Sequence, residues 1–143
     1  MSCERLKGRV ALITGGGRGI GKAIAKRLYQ EKANIVICGT TEDVLKQAAK
    51  EIATADREVL PIVCDVSDAR QIKAMVGKAR ERFGKVDILV NNAAIMLRHI
   101  GLERAVRPFY ELDEADWDSV MSVNVKGMWM CAREVFPDMR GRD

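Results

Sequence analysis

Val10-Ala11-Leu12-Ile13-Thr14-Gly15-Gly16-Gly17-Arg18-Gly19-Ile20-Gly21 is the stretch that decides the fold. The apolar run Val10–Ile13 passes straight into a glycine-rich turn, and the turn into a segment where Ile20, Ile24 and Leu28 recur at helical spacing. A continuous apolar run, rather than an alternating one, is expected of a strand covered on both faces of a parallel sheet. Residues without a Cβ permit a tight turn, close backbone approach to a pyrophosphate and close packing of the following helix. That helix would point unpaired N–H groups and the positive end of its dipole at the same anion. The glycines fit G-x-G-x-x-G in no register and fit G-x-x-x-G-x-G through Gly15, Gly19 and Gly21. Dinucleotide binding is the expectation, with a purely structural turn as its alternative.

Outward from this turn the pattern repeats. Further apolar runs lie at Ile35–Cys38, Val59–Cys64 and Val86–Val90. Between them sit helical stripes: Val44, Leu45, Ala48, Ala49 and Ile52 behind Thr41 as N-cap, then Ile72, Met75, Val76, Ala79 and Phe83. Ser67 or Asp68 would open the latter and Gly84 close it. A fourth helix is expected from about 113–116 to Phe136, stopping at Pro137. The order β-α-β-α-β-α-β-α reads as βαβ units on a parallel sheet, an α/β fold. No repeat, low-complexity tract or linker divides it, so 1–143 is expected to be a single domain.

Composition narrows the function classes. The 143 residues carry 24 Lys and Arg against 20 Asp and Glu, a net charge of +4, and 48% are apolar. Basic residues are interleaved with acids and only 5% of residues are aromatic. Nucleic-acid binding would prefer a stripe of one sign with exposed aromatics, so solvated helix faces are expected instead. Cys3, Cys38, Cys64 and Cys131 form no C-x-x-C pair, so no metal site is expected. Cys38 and Cys64 end apolar runs, where a free thiol behaves as a small buried hydrophobe. No run is long enough to span a bilayer, and the start Met1-Ser2-Cys3-Glu4 has no apolar signal region. A reduced, cytoplasmic compartment without membrane contact is the expectation.

Four motifs in order now carry a family resemblance: Thr14-Gly15-x-x-x-Gly19-x-Gly21, Asp65-Val66, Asn91-Asn92-Ala93 and Asn124-Val125-Lys126-Gly127. Together they resemble the short-chain dehydrogenases/reductases over essentially the whole chain, the nucleotide-binding portion of such an enzyme. Ala94 stands where the family usually has the glycine of Asn-Asn-Ala-Gly. The resemblance implies a three-layer Rossmann fold, with the first four strands present and later strands missing. It implies that Gly15, Gly19 and Gly21 line the pyrophosphate, that Ile20 supports it through its backbone, and that Thr14 and Gly17 belong to the same turn. Asp65 and Val66 would flank the adenine, the Asp65 carboxylate accepting from its exocyclic amine, while Asn92 and Ala93 would line the ribose side. Read alone, Asp65 is better explained as a helix-start or turn aspartate ahead of Ser67.

The second strand bears on cofactor choice. An NAD-selective site places an acid at its end to bind the ribose 2′-OH, and here that position is Gly39. Arg18 would bring a guanidinium suited to a phosphate, and Thr40 and Thr41 offer hydroxyls. NADP(H) is therefore expected over NAD(H); the alternative is a solvent-facing Arg18 with Glu42 or Asp43 on the 2′-OH.

In the fourth helix Trp117, Val120, Met121, Asn124, Met128 and Cys131 share one face by helical spacing, with Asn124 its lone amide. Periodicity says only that this amide points inward and is hydrogen-bonded. The resemblance implies a catalytic part, holding a water in the proton relay. The other face, Val123, Val125, Trp129, Met130 and Ala132, is also apolar, which predicts a homo-oligomer through residues 117–136 or cover from further chain. The stretch from Ile95 to Tyr110 exceeds the family's usual length and would either shape a substrate pocket or form a surface loop. His99 within it, the only histidine, is expected to be solvated.

The family's chemistry requires a Ser and a Tyr-x-x-x-Lys, the Tyr acting as general acid/base. Neither tyrosine fits: Tyr29 is followed at +4 by Ala33 and Tyr110 by Glu114. The sequence ends at Arg140-Gly141-Arg142-Asp143, where a fifth strand would begin. The expectation is a truncated oxidoreductase, acting with NADP(H) on a small-molecule carbonyl or secondary alcohol, 3-oxoacyl reductase-like or alcohol dehydrogenase-like. Its alternative is a catalytically inactive dinucleotide-binding fragment.

Overall fold

The structure, a computed structural model, describes residues 4–140. Cys3 and the expected fifth-strand start at 141–143 lie outside the described residues. Strands β1 (Val10–Thr14), β2 (Asn34–Gly39), β3 (Val59–Val63) and β4 (Ile88–Val90) form one parallel sheet in the order β3-β2-β1-β4. Helices α1 (Gly19–Gln30), α2 (Glu42–Ile52) and α3 (Ala69–Phe83) connect them. A short helix α4 (Leu102–Ala105), helix α5 (Glu114–Met121), a π turn at Ser122–Gly127 and helix α6 (Met128–Met139) complete the chain.

Strand alternation divides the core. Ala11, Ile13, Ile35, Ile37 and Val59 face one side with Ala25 and Tyr29 of α1 and Leu45, Ala48 and Ile52 of α2. Val10, Leu12, Val36, Cys38 and Ile62 face the other, with Ile72, Met75 and Val76 of α3 and Met130, Cys131 and Val135 of α6. Helix, sheet and helix form three layers, as a strand buried on both faces requires. The chain winds outward through β1, β2 and β3, then crosses back to place β4 on the far side of β1. That reversal opens a crevice at the carboxyl ends of the strands, where sheets of this kind bind ligands.

The caps follow the sequence at two helices. Asp68 accepts from the N–H groups of Arg70 and Gln71, and Gly84 ends α3 at φ 85°. Asp113 accepts from Asp116 N. Thr41 occupies the N-cap of α2 but makes no side-chain cap bond.

Four expectations need correction. The inward stripe of α1 is Gly21, Ala25 and Tyr29; Ile20 is 74% exposed, with Ile24 and Leu28 at the border. Gly21 packs so closely on the Gly15 carbonyl that it sets the helix rotation. The fourth helix is not one regular rod, because the π turn shifts the register by a residue. Trp117, expected inward, is exposed, and Met130, expected outward, is buried. The helix also continues past Pro137 to Met139. Proline there removes a bond only in the last turn, and Asp138 anchors that turn by accepting from Arg80 Nε (3.1 Å) and Val86 N (3.0 Å). Finally β4 begins at Ile88, because the Val86 N–H is given to that carboxylate rather than to a strand.

Candidate functional site

The turn between β1 and α1 is built on close contacts. A Cβ on Gly21 would lie 2.2 Å from the Gly15 carbonyl oxygen, so only glycine lets α1 dock there. Gly19 adopts φ 53° and faces open space. Arg18 precedes the helix in an extended conformation and supplies no side-chain cap, and no acid sits in the first turn. The first N–H groups of α1 have no intrahelical acceptor, so the turn presents donors and a positive dipole end to an anion.

Thr14 ties this turn to the exit of β4. Its hydroxyl accepts from Asn92 N (3.0 Å) and Ala93 N (3.0 Å) and donates to Val90 O (3.4 Å). The Asn92 amide donates to the carbonyls of Thr14 (3.0 Å) and Gly15 (3.2 Å). Thr14 is 2% exposed, so its part is to hold two strand exits together.

A cavity of about 620 Å³ lies over these exits. It brings together Gly15, Gly17, Arg18, Thr40, Asp65, Val66, Asn92 and Ala93 of the residues expected from the sequence. Thr14, Gly19, Ile20 and Gly21 support the turn beside it without lining it. Gly39, Thr41, Val44, Leu45, Ile95, His99 and Val123 line it as well. Thr41 and Gly39 were legible as neighbours of Thr40, whereas the aliphatic residues carry no chemical signal in a sequence. His99, expected in solvent, stands exposed at the rim, because the residues after β4 fold back as a one-turn helix at Leu97–His99.

Asp65 does what its turn position suggests: its Oδ1 accepts from Ser67 N (2.9 Å) and Ser67 Oγ (2.7 Å). Its other oxygen has no hydrogen-bond partner among the described residues and remains available to a ligand. Asn124, in the π turn, accepts from Ile95 N (2.8 Å) and donates to Ile95 O (2.7 Å), so its amide is satisfied like a strand residue's. Gly127 lets the same turn approach the loop after β3, where a Cβ would meet Val66 O at 2.7 Å.

Cys38 and Cys64, which line the cavity, and Cys131 are free and buried. The Cys38 S–H donates to Cys64, and this bond and then burial push the Cys38 thiol well above its ordinary range while the same bond draws Cys64 below its own; burial pushes Cys131 up to about 12. Cys38 and Cys131 are therefore neutral packing groups. Among the described residues no cluster of His, Cys, Asp or Glu could hold a metal ion, and no helix is long and apolar enough to cross a membrane.

Comparison with known proteins agrees with this geometry. The short chain dehydrogenase family model matches residues 9–143. The chain is 38% identical over 135 residues to the 3-oxoacyl-[acyl-carrier-protein] reductase of Thermotoga maritima, covering 94% of this chain and 52% of that protein. It is 38% identical over 138 residues to levodione reductase of Leifsonia aquatica, covering 95% and 49%. A metagenomic short-chain oxidoreductase solved in complex with NADP superposes with a TM-score of 0.83 at 32% identity, covering 94% of this chain and 57% of that one. The fold and site thus define a nucleotide-binding Rossmann protein. The chain belongs to the short-chain dehydrogenase/reductase family of oxidoreductases. It spans about half the length of these curated relatives.

Proposed function

We propose that this chain is the dinucleotide-binding portion of an NADP(H)-dependent oxidoreductase, exchanging hydride between the nicotinamide and a carbonyl or secondary alcohol. The observation that carries the reading is the uncapped start of α1, whose free N–H groups adjoin a cavity edged by the Arg18 cation. The first turn of α1 and Gly15 would hold the pyrophosphate. Asp65, Val66, Asn92 and Ala93 would hold the adenosine. When bound, the nicotinamide supplies or accepts the hydride.

The preference for the 2′-phosphate rests on charge. The end of β2 offers Gly39 and two hydroxyls, with no carboxylate to repel a phosphate. Glu42 is paired with Lys46 at 2.6 Å, and neither Glu42 nor Asp43 borders the cavity, so the alternative acceptors are turned elsewhere. The similarity to two reductases favours a carbonyl as the group reduced, the 3-oxoacyl class among them. Asn124 is the residue of this chain that would serve proton transfer, since its Oδ1 keeps a lone pair for a water after bonding Ile95 N. The general acid/base is not among these 143 residues, because neither tyrosine is followed by a lysine at +4. The chain by itself then binds cofactor without turnover. The second reading is a catalytically inactive dinucleotide-binding fragment, without the Ser and Tyr-x-x-x-Lys of the family's chemistry.

Trp117, Val125, Trp129 and Phe136 are each more than half exposed along the 117–136 helix, and a second copy meeting there would cover them. Buried free thiols fit a reducing compartment, and we assign the protein to the cytoplasm.

The test is a fluorescence titration with NADPH and with NADH, followed by an assay of NADPH oxidation with simple ketones. NADPH should bind about tenfold more tightly, the worth of roughly one charged hydrogen bond. Equal affinities reject the preference, binding of neither rejects the cofactor reading, and turnover by the chain alone rejects its inactivity.

A further inference from the structure

The segment that follows β4 is clamped to the long helix at two points. At its start the Ile95 main chain exchanges two hydrogen bonds with Asn124. Farther on, Arg104 Nε lies 2.7 Å from Asp116 Oδ1, whose side chain is 3% exposed, while Arg104 Nη1 donates to Ile100 O at 2.6 Å. Between the clamps the turn at Leu97–His99 closes with His99 N donating to Met96 O at 2.8 Å. The ring of His99 is held too, its Nδ1 lying 2.8 Å from Met96 N and 3.2 Å from Met96 O. The shorter contact has a main-chain N–H as donor, so Nδ1 accepts. The neutral imidazole then carries its proton on Nε2. That group has no hydrogen-bond partner among the described residues, on a ring that lines the cavity.

The cavity wall around His99 completes the picture. Val44, Val66 and Val123 give it apolar surfaces, and Asp65 brings a carboxylate oxygen without a partner. An apolar slot with one acceptor and one donor suits a flat heterocycle carrying an amine and ring nitrogens.

We propose that His99 is a further cofactor-binding residue, donating its Nε2–H to an acceptor on the nucleoside half of the dinucleotide. The assignment rests on reading this cavity as the dinucleotide site. The Arg104–Asp116 pair acts as a positioning element, fixing the strap that carries the ring before any ligand arrives.

Two substitutions separate the donor from the strap. In His99→Asn the amide oxygen takes the place of Nδ1 and keeps the bond to Met96 N, while the Nε2 donor is lost. In His99→Gln the terminal amide reaches the Nε2 position and restores a donor. Calorimetric titration with NADPH and with adenosine 2′,5′-bisphosphate should show His99→Asn weakening both by about 3- to 10-fold, as one hydrogen bond implies, with His99→Gln within about twofold of wild type. Wild-type affinity of His99→Asn for both probes overturns the assignment, as does a loss confined to NADPH. A wild-type chain that binds neither probe overturns the cofactor reading and this assignment with it.

Discussion

The two ends of the sheet carry hollows of similar size with opposite hydrogen-bonding states. At the amino-terminal end a cavity of about 710 Å³ is edged by Lys26, Arg27, Lys32 and Arg57 together with Glu31, Glu51 and Asp56. Several of its polar groups are already committed to the fold, although Arg57 Nε is buried without a partner among the described residues. Arg57 donates to Ala33 O (2.8 Å) and Tyr29 O (2.6 Å) and lies over the Tyr29 ring, whose hydroxyl contacts Thr54 Oγ1 and Arg57 O at 2.8 Å. Glu31 takes both Arg5 and Arg27. Nearby, Asp87 receives Val10 N (2.9 Å), Lys85 (2.9 Å) and Arg9 (3.2 Å). At the carboxyl-terminal end a cavity of about 620 Å³ is lined by Arg18, Asp65 and His99, whose guanidinium, second carboxylate oxygen and Nε2 have no such partners among the described residues, and the uncapped start of α1 lies beside it. Volume does not separate the two hollows; what does is how far their donors and acceptors are used by the fold, and the free start of a helix beside only one of them.

Substitutions at each end should therefore separate stability from binding. The largest effect belongs to Gly21→Val, which forces a side chain into the Gly15 carbonyl. Urea unfolding should show a loss of about 3 kcal/mol or more, with NADPH binding abolished. Asp87→Ala, at the other end, should cost about 2–3 kcal/mol by stranding its donors, with NADPH affinity unchanged. Burial pushes the Asp87 carboxyl up, but the bonds from Lys85, Val10 N and Arg9 outweigh it and hold the group below its ordinary range. Its contribution to stability is thus fully present above the unfolded pKa of about 3.9 and is lost as pH falls through the lower folded value. An acid titration of wild type and Asp87→Ala should converge there. Smallest in stability is Arg18→Ala, expected within about 0.5 kcal/mol of wild type, since the residue is exposed. Its NADPH affinity should nonetheless fall about tenfold with NADH affinity unchanged. A comparable loss for both cofactors would show that Arg18 does not read the 2′-phosphate.

The sheet and the glycine turn, though not the contrast between the hollows, were legible in the sequence. The four strands and the glycine turn were readable because buried parallel strands are continuous apolar runs and because a turn bearing Gly15, Gly19 and Gly21 has few other uses. Gly84 could be assigned to the end of α3 and its start narrowed to Ser67 or Asp68 for similar local reasons, and the structure puts the cap at Asp68. The helix faces were less readable. The rotation of α1 is fixed by Gly21 against a carbonyl, and the register beyond Asn124 by a π turn, and both are tertiary contacts that periodicity does not encode. The part of His99 was hidden for the same reason, since a lone histidine in an irregular segment shows nothing until the strap around it closes. The donors left without partners emerge only once every other hydrogen bond has been assigned.

The most direct measurement is an amide-resolved NMR titration of the chain with NADPH. Shifts concentrated at Gly15–Gly21, Asp65, Val66, Asn92 and Ala93, with Tyr29, Thr54 and Arg57 unmoved, are what the account predicts. Shifts centred on Lys26–Lys32 and Thr54–Arg57, or none at the glycine turn, would contradict it.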